Sequence, residues 1–166
     1  MRYLLDTCVL SELVKPKPEA AVVGWVEGQD EHRLFLSVIT LGELHKGVAK
    51  LPAGRRREQL ETWIEEDLAG RFRGRVLPVD SAVAATSGVI LGEAEVGGRS
   101  LPVIDALIGA TAKVHGCVVV TRNVADLERT GAEVLDPWQR GETSISSSRQ
   151  MPVRGHRQSA GHRSQR

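Results

Sequence analysis

A parallel α/β fold, three layers deep with a central sheet flanked by helices, is what this 166-residue sequence predicts. Three observations carry the prediction. Apolar runs too short for helices recur along the chain. Between them lie stretches whose apolar residues have helical spacing. Carboxylates stand just past several of the runs, where the carboxyl ends of parallel strands place ligands.

Arg2-Tyr3-Leu4-Leu5 reads as a buried strand that stops at Asp6. Val9, Leu10, Leu13 and Val14 then recur at helical spacing, and Lys15-Pro16-Lys17-Pro18 ends that helix. Ala20, Ala21, Val22, Trp25 and Val26 make a second, short amphipathic helix over 19–28. Leu34-Phe35-Leu36-Ser37-Val38 is a second strand. Thr40 followed by Glu43 fits a capping box, which puts Glu43 in the first turn of a helix running to about Leu51. Pro52 and Gly54 break the chain before a charged helix over 55–69, with Leu60, Trp63, Ile64 and Leu68 on one face. Val76-Leu77-Pro78-Val79 is a third strand, and Asp80-Ser81 opens a helix that Gly97-Gly98 breaks. Leu101-Pro102 opens the helix holding Asp105, where Gly109, Ala110 and Ala112 suit close packing. Gly116 ends it, Cys117-Val118-Val119-Val120 is a fourth strand, a turn holds Asp126, and Glu133-Val134-Leu135 is a small fifth strand.

The composition, 41% hydrophobic and 26% charged, fits an ordinary globule, and only 4% aromatics argues against a base-stacking RNA-binding sheet. Charge is uneven. Residues 1–142 hold 17 Lys and Arg against 21 Asp and Glu, a net of −4, and five arginines follow with no acid. One domain over 1–142 is expected, then a basic, Ser/Arg-rich, disordered tail over 143–166. An acidic domain that handles nucleic acid needs a cation to approach phosphate. Cys8 and Cys117 have no metal-ligand spacing and read as reduced thiols, with Cys8 at a helix start where a thiol pKa is lowered. Asp6 interrupts the first apolar run too early for a signal peptide, and no run is long enough to span a bilayer. A cytoplasmic protein with no membrane association is expected.

Asp6, Glu43, Asp105 and Asp126 each follow a strand or open a helix. Each has a plain alternative role as a cap or first-turn acid. Gathered at one sheet edge, they would raise one another's pKa values unless a cation lay among them. Oxygen donors of this kind suit Mg²⁺ or Mn²⁺, which lowers the pKa of a bound water and neutralises charge on a phosphoryl group. No Ser–His–Asp set, Cys–His pair or glycine-rich phosphate loop accompanies them. The reaction implied is metal-assisted hydrolysis of a phosphodiester.

Asp6-Thr7-Cys8-Val9-Leu10-Ser11-Glu12, Glu43-Leu44-His45-Lys46-Gly47, Ile104-Asp105-Ala106-Leu107-Ile108-Gly109-Ala110-Thr111-Ala112 and Thr121-Arg122-Asn123-Val124-Ala125-Asp126-Leu127 together resemble the PIN-domain family, in its VapC-type, FitB-like branch of toxins. The resemblance covers roughly residues 1–140. It implies a Mg²⁺- or Mn²⁺-dependent endoribonuclease toxin, usually a homodimer, held silent by a cognate antitoxin protein. It carries the acidic quartet onto Asp6, Glu43, Asp105 and Asp126, with Asp6 and Asp105 as direct ligands and the other two completing the site. Thr7 and Thr121 become supporting hydroxyls. Arg122 and Asn123 are read as further supporting residues, Arg122 standing beside the site where it could contact the scissile phosphate. Cys8 departs from the family, where Asn or Ser is commoner, and Asn123 stands where some relatives have Asp.

His45, two residues after Glu43, reads as a surface residue. Arg55, Arg56, Arg57, Arg73 and Arg75 could hold RNA phosphates or form a solvated face. Leu10, Leu13, Val14, Val22 and Val26 could form a groove for an antitoxin helix or ordinary core. The alternative to a nuclease is a catalytically silent nucleic-acid- or protein-binding module on the same scaffold. A haloacid-dehalogenase-type phosphatase is excluded, because its second Asp would stand at Cys8.

Overall fold

Leu4 and Leu5 are adjacent, both essentially inaccessible to solvent, and belong to different cores. That is the alternation of a strand buried on both faces. Leu5 packs with Val9, Leu10, Val22 and Val26 on one side, and Leu4 with Ile108 and Ala112 on the other. Three layers result. The computed structural model describes residues 1–139; the tail expected over 143–166 lies outside them.

Five strands form the sheet: β1 (Arg2–Leu5), β2 (Leu34–Ser37), β3 (Val76–Leu77), β4 (Cys117–Val120) and β5 (Val134–Leu135). All pairings are parallel, in the order β3-β2-β1-β4-β5. β1 is central, pairing Tyr3 with both Leu34 and Val118. The chain first builds outward from β1 through β2 to β3, then returns to its other edge for β4 and β5. The order therefore reverses between β1 and β4, a switch point beyond whose carboxyl ends open α/β sheets place their ligands.

On the Leu5 side lie α1 (Thr7–Leu13) and α2 (Ala20–Glu27), followed by a 3₁₀ turn at Glu31–Arg33. Buried Glu12 ties α1 to α2, accepting from Lys15 Nζ at 2.6 Å and from the Glu19 N–H at 2.9 Å. After β2 comes α3 (Val38–Ala49). Ser37 caps it, its Oγ accepting from the Ile39 N–H at 3.1 Å. The capping box expected at Thr40 and Glu43 is therefore corrected. Ser37 ends its strand in extended backbone and reaches the orphan N–H first. Thr40 is already inside the helix and fully buried, and Glu43 falls in the second turn.

The charged helix is also less regular than its spacing suggests. α4 (Arg55–Thr62) passes through a π-helical segment, Trp63–Leu68, into α5 (Ala69–Arg71). α6 (Ser81–Val96) and α7 (Val103–His115) pack side by side, α7 also covering β4, and α8 (Val124–Glu128) follows. Gly116, at φ +63°, ends α7 in the left-handed conformation. The small residues of α7 serve a close approach: a Cβ on Gly109 would come within 2.1 Å of Thr130 Oγ1. Among the described residues, no helix is long and apolar enough to cross a membrane.

Candidate active site

The backbone of Asp6 completes the β1–β4 pairing, its N–H donating to the Val120 carbonyl at 3.0 Å. Its side chain stands at the switch point. Oδ1 accepts from the Thr7 N–H at 2.8 Å, so Asp6 does cap α1, as its plain alternative role required. Oδ2 accepts from the Thr121 hydroxyl at 2.6 Å and the Cys8 thiol at 3.4 Å. Capping thus occupies one oxygen, and residues 115 positions apart in sequence orient the other.

Thr7 extends the network toward α3, its hydroxyl donating to Glu43 Oε2 at 2.6 Å. Thr121 is fully buried, and besides donating to Asp6 its Oγ1 accepts from the Asn123 N–H at 2.9 Å. The tips of β1 and β4 and the second turn of α3 are thereby joined by side chains with strict donor–acceptor roles. Asp105 lies in the first turn of α7, which packs against α3. Its pKa is raised, by burial first and then by the charges of Asp126, Asp6 and Glu43. The carboxyl on α7 thus feels the acids from the three other segments together.

The two ends of the set differ in partners. Asp126 is half-exposed and paired with Arg129 Nη1 at 3.4 Å, one turn on. That guanidinium also reaches the Ser100 carbonyl, so it bridges α8 to the loop before α7. The side chains stand apart rather than closed on a point: among the described residues, no three His, Cys, Asp or Glu form a group placed to hold one ion. What the four carboxylates share is oxygen-donor chemistry and a common field.

Cys8 differs from its expectation. Its pKa is raised, by burial first and then by the charge of Asp6, with smaller hydrogen-bond effects of both signs. The helix-start argument fails because Asp6 occupies the cap. The thiol also meets Thr121 Oγ1 at 3.4 Å and accepts from the Arg122 N–H at 3.4 Å. It is a contact between the two strand tips that the sequence signalled only by where it departs from the family pattern. The Arg122 side chain stacks over Trp138 at 5.0 Å, a partner sequence reasoning missed. Arg75 is structural: it donates to the Leu34 carbonyl at 2.9 Å and stacks on Phe72 at 4.9 Å. His45 is exposed. Of the five candidate groove residues, Leu10, Val22 and Val26 are buried and Leu13 and Val14 partly exposed, and all but Val22 line a cavity with Trp63.

Comparison with known proteins follows the same outline. The family model described as PIN domain matches residues 3–133. The VapC ribonuclease Y4jK of Sinorhizobium fredii is 37% identical over 136 residues, 82% of this chain and 97% of that protein. The toxin FitB of Neisseria gonorrhoeae is 37% identical over 135 residues, 81% of this chain and 97% of that protein. The crystal structure of FitAcB from Neisseria gonorrhoeae superimposes with a TM-score of 0.78 at 37% identity, covering 82% of this chain and 98% of that one.

Proposed function

The chain belongs to the PIN-domain family, and on that premise we propose that it is a Mg²⁺- or Mn²⁺-dependent endoribonuclease toxin of a toxin–antitoxin pair. One observation carries the reading: the charges of Asp126, Asp6 and Glu43, from three other segments, act together on half-buried Asp105 in α7 and, after burial, raise its pKa. Four such acids are poor neighbours for one another and for RNA unless a divalent cation lies among them.

In this reading Asp6 and Asp105 hold the ion directly, and Glu43 and Asp126 complete its shell, directly or through water. A cation held among these carboxylates would offset their mutual repulsion. When bound, the ion supplies Lewis-acid activation of water and neutralises charge at the scissile phosphate. The chain's own part is orientation. Thr121 and the Thr7 N–H fix the plane of the Asp6 carboxylate, leaving a lone pair of Oδ1 free. The Thr7 hydroxyl holds the Glu43 carboxylate in the same hydrogen-bonded network. The Arg129–Asp126 pair is exposed enough to cost little to open, so it would not hold Asp126 back from a cation. Arg122 and Asn123, in the loop after β4, would lie along the RNA backbone. A cognate antitoxin and a second copy of the chain are the partners this reading implies.

The test is cleavage of single-stranded RNA by the purified protein, free of any antitoxin, with Mg²⁺ or Mn²⁺, with chelator, and as Asp6→Asn. Cleavage that needs the ion and Asp6 supports the reading. RNA bound but left intact under every condition sinks it in favour of the silent binding module.

A further inference from the structure

A cavity of about 230 Å³ opens beside the acids, between α1, α3 and the α4–π segment. Thr7 and Glu43 line it, so the hydrogen-bonded pair at one end of the acidic site is also a wall of this cavity. The rest of the wall is apolar, with Leu44, Val48, Leu60 and Trp63 prominent, and Ser11 and Arg56 are its other polar groups. Resting on the ribonuclease reading above, we propose that this cavity is a base-specificity pocket, taking one unpaired nucleobase of the RNA next to the bond that is cut.

Size limits the occupant. Drug-sized ligands fill about 300–1,000 Å³, so this space suits a single heteroaromatic ring system with its sugar and phosphate outside. Chemistry suits a base as well. Trp63 opens the π-helical segment, a local widening common at functional sites, and brings an aromatic side chain, the kind on which bases stack, to the cavity wall. Ser11 and the Thr7–Glu43 pair give polar edges that can read hydrogen-bonding groups on a base. Charge at the mouth suits phosphate. Arg57 is held by Glu61 at 2.8 Å, whereas among the described residues neither Arg55 nor Arg56 has an ion-pair partner, and Arg56 lines the cavity. A nucleotide chain whose phosphate lies at the acids would reach this opening with its adjoining base. A hydrophobic protein segment would use the apolar wall but neither Arg56 nor the polar end.

Gly47 is what keeps the space open. It lies one helical turn after Glu43, lines the cavity, and a Cβ built there meets no atom within 4 Å. Gly47→Leu therefore places a side chain at the cavity wall whose Cβ meets no neighbour, and it raises the helix propensity of α3. The experiment walks a single abasic nucleotide through a short RNA around its cleavage site. For the wild type, loss of one base adjacent to the cut is expected to lower kcat/KM about tenfold or more, with other positions within about twofold. Gly47→Leu and Trp63→Leu are expected to cut the intact RNA no better than that abasic one. A second readout does not need cleavage: 2-aminopurine at that position should change its fluorescence on binding wild type and not on binding Gly47→Leu. Equal dependence on every base, or Gly47→Leu cutting intact RNA as the wild type does, overturns the pocket while leaving the nuclease intact. If the wild type cuts no RNA, the ribonuclease reading has failed, and 2-aminopurine placed at each position of the RNA in turn decides: a fluorescence change lost in Gly47→Leu supports a base pocket, and no change at any position overturns it.

Discussion

The Thr121 hydroxyl donates to Asp6 Oδ2 at 2.6 Å, joining the tips of the two strands between which the sheet reverses its order. Thr121 is fully buried and its oxygen also accepts from the Asn123 N–H at 2.9 Å. A single side chain therefore sets both the direction of one carboxylate and the start of the loop after β4. Thr121→Val keeps the volume and removes the hydroxyl that donates to Asp6 and accepts from the Asn123 N–H. We expect a loss of about 1–3 kcal/mol of stability, the scale of a hydrogen bond to a charged group, read by urea denaturation. Under the ribonuclease reading, cleavage should fall about tenfold and recover in Thr121→Ser.

Asp6→Asn keeps the oxygen that caps α1 and removes a charge from the site. The fold should survive, with circular dichroism unchanged and a melting temperature close to wild type. Cleavage of RNA in Mg²⁺ should fall at least about a hundredfold, the scale of losing one electrostatic element of an active site. Residual activity within a few-fold of wild type would remove Asp6 from the chemistry.

Asp105 makes stability depend on pH in a defined direction. Its folded pKa is raised above the ordinary 3.8 by burial, then by Asp126, Asp6 and Glu43. The folded state therefore holds this proton more tightly than the unfolded chain does. The contribution is fully present below the unfolded value and is lost as pH rises through the folded one. At pH 7 without divalent ions, the charged Asp105 opposes folding, and Asp105→Asn should melt higher than wild type. Mg²⁺ should raise the melting temperature of the wild type and shift the variant less. A variant that melts lower at pH 7 in chelator would contradict the sign.

Gly109→Ala tests the packing that seats α7. The new Cβ would fall 2.1 Å from Thr130 Oγ1 and 2.5 Å from its Cβ, so the helix or the loop after α8 must move. We expect a destabilisation of about 1–3 kcal/mol, the usual scale of overpacking, seen as a lower urea midpoint. Because Asp105 lies one turn away on the same helix, cleavage should fall as well. Thr130→Gly in the same chain should relieve the clash.

The Cys8 thiol should react slowly with maleimide at pH 7, because burial and the Asp6 charge hold it protonated. Modification should accelerate in Asp6→Asn, where that charge is gone. Rapid labelling of the wild-type residue would show that the thiol is neither buried nor paired as described.

Local pattern made much of the architecture legible. Leu4-Leu5 before Asp6, and Cys117-Val118-Val119-Val120 before Thr121, are short β-rich runs that could hardly be anything but buried parallel strands. Gly116 after α7 announced its end, and the small residues of α7 announced a close neighbour, which proves to be Thr130. The cap of α3 was misread because Ser37 and Thr40 are both good capping residues three positions apart. Only the end of β2 decides which N–H groups are orphaned. The π-helical segment at Trp63–Leu68 has no periodicity of its own to announce it.

The sequence by itself determined which segments are strands and helices, and that each of four acids follows or opens one of them. It did so because burial period and turn chemistry are local properties of the chain. Only the tertiary structure decided that Thr121 orients Asp6, that Thr7 holds Glu43, that Arg129 covers Asp126, and that Gly47 leaves a cavity beside them. Those relationships depend on strand order and on angles between packed elements. Such quantities arise when distant segments share one core, and no window along the chain contains them.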